Sequence, residues 1–151
     1  MKKISLIILL AAVLTTSLFA QHKRFGLGIV LGEPTGFTAK LWLSRYNSIN
    51  GAFAWSILHE EKFYIHIDHV FHYYGLFDIQ TGELPLHLGV GGRLLLKKGE
   101  EGNVGFRIPL GLTYIMHDVP VEFFGEVVPV VNLIPETDVD VDGGIGFRYF
   151  F

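Results

Sequence analysis

Four side chains near the middle of the chain have types that could do chemistry. His66, Asp68 and His72 alternate along YIHIDHVFH (64–72), and His87 follows in the next apolar stretch. Imidazole and carboxylate together can ligate zinc or relay a proton. In an extended strand, residues separated by an even number point the same way, so the first three share one face. The competing reading is a hydrogen-bonded network with no chemistry of its own, and the rest of the chain favours it. His69 falls on the opposite face. No serine accompanies it there to make a nucleophilic pair.

Two other motifs invite a ligand. Asp138-Val-Asp140-Val-Asp142-Gly143 matches the start of a calcium loop. Such a loop needs a bidentate Glu at its twelfth position, which here is Tyr149, and it needs flanking helices. The segment is better read as an acidic approach to the last strand. The glycine runs GLGIVLG (26–32) and GVGG (89–92) neither open a helix nor complete a dinucleotide spacing. No cofactor and no metal is expected.

These residues belong to a chain of 151 residues, the size of one domain. Residues 1–20 read as a secretory signal: Lys2 and Lys3, an apolar core from Ile4 to Val13, then Ala20 before an approximate cut. Residues 21–151 would form the mature domain. Removing Lys2 and Lys3 takes the formal charge from −3 to −5, against a nucleic-acid binder. The chain has no cysteine, which excludes disulfides, thiolate ligands and a lipid-attachment cysteine. Half the residues are hydrophobic, yet no run after residue 20 approaches the roughly 20 residues of a spanning helix.

Period two dominates after residue 24. It predicts eight strands near 24–32, 36–44, 48–58, 63–75, 84–97, 103–116, 120–133 and 139–151. Turn chemistry separates them, as in GEPTG (32–36), SRYNS (44–48) and KKGEEGN (97–103). Pro109 and Pro129 fall inside strands, where bulges are expected.

Sorted by parity, the two faces differ in kind. One is apolar, as in Phe25, Leu27, Ile29 and Leu31, and holds no Lys, Arg, Asp or Glu. The other carries Lys40, His66, Asp68, His72, His87, Arg93, Arg107, Glu122, Glu126, Asp140, Asp142 and Arg148, interleaved with glycine and alanine. Trp42 shares this parity near a strand end.

Two architectures fit. A soluble, lipocalin-like barrel would turn the apolar face inward around a hydrophobic ligand; a membrane barrel would turn it outward to lipid. A solvated exterior is dense in long charged side chains. This polar face is mostly small residues with sparse, nearly balanced charges, which suits the crowded interior of a narrow barrel. The expected fold is therefore all-β: a closed eight-stranded antiparallel up-and-down transmembrane β-barrel with an ion-paired lumen and both termini at the periplasmic end. A membrane-embedded lipid-modifying enzyme using His66, Asp68 or His69 is a third possibility, and the expectation is that the protein is not an enzyme.

The last residues carry a family resemblance. Gly146-Phe147-Arg148-Tyr149-Phe150-Phe151 resembles the C-terminal assembly signal of outer-membrane barrels: Gly146, the aromatic Tyr149 and the terminal aromatic Phe151. The position two before the glycine, usually polar in those families, is Gly144 here. Across nearly the whole mature chain the layout is similar to the OmpA transmembrane domain and OmpX. GEPTGFTAKLWLS (32–44), LPLHLGVGGR (84–93) and PETDVDVDGGIGFRYFF (135–151) resemble a family of small outer-membrane β-barrels of diderm bacteria that has no established activity. The resemblance implies an outer-membrane location, lipid as surroundings and the barrel-assembly machinery as a partner during insertion; a monomer is expected. It also implies ion-pair plugs in the lumen, for which Arg93, Arg107, Glu122, Glu126 and Arg148 match by character.

Overall fold

The computed structural model describes residues 23–33, 35–56 and 61–151, and all regular structure among them is strand. The expected signal at 1–20 lies outside the described residues. The strands are β1 Phe25–Glu33, β2 Gly36–Trp42, β3 Asn47–Ser56, β4 Lys62–Tyr73, β5 Gly82–Glu83, β6 Leu86–Lys97, β7 Asn103–Arg107, β8 Leu110–Met116, β9 Val121–Ile134 and β10 Asp138–Phe150. β5 and β6 pair with the same partner, β8, in one register, so they are one stave broken at Leu84-Pro85. β7 and β8 are likewise one stave, broken at Ile108-Pro109.

The eight staves run antiparallel in chain order, and β10 pairs with both β9 and β1. That last pairing closes the ring, with Gly26 opposite Phe150 and Glu33 opposite Gly143. Closure leaves no free sheet edge along this seam. Since Gly26 and Phe150 are partners, both ends of the barrel domain lie at one end of the barrel. Turns 43–46, 74–81 and 117–120 share that end. The connections after Glu33, Ser56, Lys97 and Ile134 lie at the other.

Local chemistry supports the turns. The Ser44 hydroxyl accepts from the Tyr46 and Asn47 amides at 3.1 and 3.2 Å, closing the β2–β3 turn as Ser side chains do. At the β1–β2 turn, Thr35 Oγ1 accepts from the Gly32 amide at 3.0 Å and donates to the Gly32 carbonyl at 2.9 Å. Gly32 has φ of 139°, a conformation that favours glycine.

The expected strands all form. The expected bulges at the prolines do not. The β9–β10 register runs unbroken past Pro129, which faces Val141, and the stave containing Pro109 keeps one register against β6. The bulge instead lies at Val104/Gly105, where β9 carries the extra residue Leu133. A proline removes one donor from the ladder, whereas a bulge needs an additional residue on one strand.

The apolar face is outside. Phe37, Trp55, Ile67, Val141 and Ile145 are each more than 60% exposed. The polar face is inside, where Lys40, Asp68, Arg107 and Glu122 are almost completely buried. A lipocalin-like arrangement needs these faces reversed, so that alternative is overturned. The interior contains little apolar packing beyond Val30, Ala52 and Phe124 in one cluster and the buried Val70, Val128 and Val130. Polar pairing holds this core together.

Candidate functional site: an ion-paired lumen

The lumen residues sort into three tiers. Near the terminal end, Glu122 of β9 accepts from Lys40 of β2 at 3.0 Å and from Arg148 of β10 at 2.7 Å. Arg148 also donates to Thr38 Oγ1 from Nη2 at 2.9 Å. Lys40 Nζ lies 3.1 Å from His72 Nε2 and 3.9 Å from the Trp42 ring centroid. Trp42 therefore points inward, as its parity indicates, and stacks against His72 with centroids 4.4 Å apart. The Arg148 guanidinium lies 3.9 Å over Phe124. One carboxylate thus bonds two cations, and aromatic faces lie against the positive charge it leaves unbalanced.

The middle tier is organised by Arg107, the last residue of β7. Its Nε donates to Asp68 Oδ2 at 3.1 Å, and its Nη1 donates to the Tyr64 hydroxyl. Glu126 lies 3.7 Å away on the other side. Glu126 is also 3.3 Å from His87, whose Nδ1 is 2.9 Å from Thr113 Oγ1. His66 Nε2 lies 3.6 Å from Asp68 Oδ2, its neighbour on the same face of β4. Gly91 leaves room for this tier, because a Cβ there would run into Asp68.

At the far end, Arg93 of β6 donates to both oxygens of Asp142 at 2.7 and 2.8 Å, to Asn132 at 2.9 Å and to Asp140 at 2.5 Å. Both Asp142 contacts come from Nη1, while Nη2 serves Asn132 and Asp140, so one guanidinium is shared among three side chains. The Tyr64 hydroxyl donates to Asp142 at 2.7 Å and so joins this tier to the middle one. Asp140 sits at the rim with its side chain 46% exposed. The calcium-like segment is therefore part of β10, not a loop, and its inward carboxylates are held by Arg93.

All twelve charged and histidine residues expected in the lumen point inward. The proposed chemical group does not converge, however. His72 and His87 are direct cross-strand partners with ring centroids 6.0 Å apart, and His66 pairs with Asp68. His72 meets the terminal tier through Lys40, whereas His66 and Asp68 belong to the middle tier with Arg107. Among the described residues no three His, Asp or Glu side chains are arranged to hold a metal ion. His69 is on the outer wall, stacked on Phe71 at 4.6 Å.

Sequence reasoning missed the neutral members of the network. Thr38, Tyr64, Thr113 and Asn132 are buried and bonded to its charged groups. Their parity is inward, but a neutral hydroxyl or amide in a strand carries no charge signal that marks it as part of a network. Tyr149 and Phe151, expected in an assembly signal, face outward with rings 5.2 Å apart, and Gly146 lies in β10 opposite Phe124.

What this geometry does chemically is pair buried charges across the interior. Each carboxylate is matched by a cation, and the pairs cross the lumen from β2 to β9, β4 to β7 and β6 to β10. Removing one partner strands the other charge in a low-dielectric interior.

No protein-family model matches the chain, and no curated protein matches it. Among solved structures it is similar to Ail, the attachment invasion locus protein of Yersinia pestis, with 12% identity and a TM-score of 0.35. The alignment covers 84% of this chain and 93% of that one. An overlap this loose carries no functional argument, and what is established for this chain is its own closed antiparallel barrel.

Proposed function

We propose that the protein is a small outer-membrane β-barrel of a diderm bacterium whose lumen is closed by ion pairs, and that its role is structural or in surface interaction. The observation that carries this reading is the inverted distribution of side chains. Apolar side chains band the outside, and charged ones are buried in pairs. Fully burying one large apolar side chain is worth about 1.5–3 kcal/mol, so a wall of exposed Phe, Ile, Leu and Val is costly in water and favourable in lipid. Strands can cross a bilayer only as a closed barrel, because every backbone polar group must be satisfied.

On this reading residues 1–20 direct export and are cleaved. The last-strand motif with Gly146, Tyr149 and Phe151 is read by the barrel-assembly machinery. The barrel works as a monomer surrounded by outer-membrane lipid, with both domain ends in the periplasm. Solutes do not pass while the three tiers are paired. A narrow pore is the variant in which those pairs separate.

Topology offers a direct test. The natural chain has no cysteine, so one can be placed at Glu136 in the outer connection or at Asp118 in the opposite turn. In intact cells a membrane-impermeant maleimide should label the first variant and not the second. Equal labelling, or labelling only after cell disruption, would contradict the reading.

A further inference from the structure

The three prolines that fall within staves all interrupt ladders of one stave, the sixth, made of β7 and β8: Pro109 lies in it, and Pro85 and Pro129 face it from either side. In an antiparallel ladder the two residues of a hydrogen-bonded pair exchange two bonds. Thr113 N donates to the Pro85 carbonyl at 3.0 Å, Gly89 N to the Pro109 carbonyl at 2.9 Å, and Ile108 N to the Pro129 carbonyl at 3.0 Å. In each pair the return bond is missing, because proline has no N–H. Two of the losses lie between this stave and the fifth, made of β5 and β6, and the third lies between it and β9.

Two further irregularities fall on the same stave. Its strand is interrupted at Ile108-Pro109, and its one register shift is at Val104/Gly105. The fifth stave is also interrupted, at Leu84-Pro85, on its ladder with the sixth; among the described residues the ladders that do not involve the sixth stave are regular. β9–β10 runs in one register from Asp138–Asn132 to Tyr149–Val121, and β3–β4 from Asn47–Phe71 to Ser56–Lys62.

Where the backbone bonding is thinnest, a side chain compensates. Arg107 immediately precedes the break and is completely buried. It reaches across the lumen to Asp68 and Tyr64 of β4, and it lies 3.7 Å from Glu126 of β9. We propose that the sixth stave is a hinged section of the barrel wall, pivoting at Ile108-Pro109, which Arg107 latches shut from inside the lumen. Releasing the latch frees the middle tier and opens a water-filled path for small hydrophilic solutes. This rests on the membrane-barrel reading and adds the element that regulates its lumen.

Local opening is read by backbone hydrogen exchange. In lipid vesicles, amides of residues 104–113 should exchange about tenfold or more faster than those of β3 and β4. Pro129 points outward, so P129V restores an N–H opposite the Ile108 carbonyl without touching the lumen. It should slow exchange of 104–113 several-fold and leave β3 and β4 unchanged. R107Q should convert an electrically silent protein into one that shows channel events in a planar bilayer. If R107Q fails to fold, P129V carries the test alone. Uniform protection in the natural protein, or no response to P129V, would overturn the hinge. Those results in a protein that still spans the membrane would refute the hinge while leaving the barrel reading intact.

Discussion

Arg148 and Glu122 are direct register partners across β9–β10, and their side chains also close an ion pair at 2.7 Å inside the lumen. Strand pairing and charge pairing thus specify the same alignment of the last two staves. Lys40 adds a second cation to the same carboxylate from the far side of β1. Replacing Glu122 with Ala strands two buried cations, and breaking a buried pair typically costs about 3–5 kcal/mol. Urea unfolding of E122A in lipid vesicles should show a loss of that order. A loss well under 1 kcal/mol would mean that water reaches these charges.

The far tier separates a buried carboxylate from an exposed one on a single arginine. Arg93 holds Asp142, which is buried, and Asp140, whose side chain is 46% exposed. Exposed pairs are worth about 0–1 kcal/mol. D140N should therefore unfold almost like the natural protein, while D142N should be destabilised by about 3 kcal/mol or more. A double-mutant cycle pairing each with R93Q measures the two couplings. Equal couplings would show that the rim is as dry as the interior.

The outer wall gives a test with opposite signs in lipid and water. Ile67 is in the middle of β4, points outward and is 61% exposed. An arginine at a barrel's lipid-facing midplane costs about 2–4 kcal/mol. I67R should lower folding stability in vesicles by that amount. If I67R is neutral, or if it improves solubility without lipid, the outer face is solvated.

Closure at the β1–β10 seam depends on a missing side chain. Gly28 lies opposite Arg148, and a Cβ there would run into the Phe147 carbonyl oxygen. G28V should block closure and abolish refolding into vesicles, whereas G92A, where an added Cβ would make only an ordinary 3.7 Å contact with the Gly105 carbonyl oxygen, should refold normally. Normal refolding of G28V would mean that the seam tolerates a wider spacing.

Most of the wall was legible in the sequence. Period-two alternation located each stave, and the inward parity of Lys40, Arg93, Arg107 and Arg148 placed every cation expected in the lumen. The interior lining was legible because small residues and balanced charges distinguish a crowded lumen from a wet surface. Pairwise partners were not legible. That Arg107 meets Asp68 while Arg93 meets Asp142 depends on stagger between strands, which alternation does not encode. The neutral residues Tyr64 and Asn132 gain their roles only from those partners. The prolines misled for a related reason. Composition shows that a donor is lost, but only the register shows that Pro129 and Pro109 drop bonds without shifting the strands.

The central claim is that this barrel is closed and lives in lipid. The most direct measurement is mobility of the membrane fraction on an SDS gel, unheated and boiled. A closed membrane barrel resists SDS at room temperature and shifts in mobility when boiling unfolds it, and that shift is the expected result. A protein found in the soluble periplasmic fraction, with the same mobility before and after boiling, would contradict it.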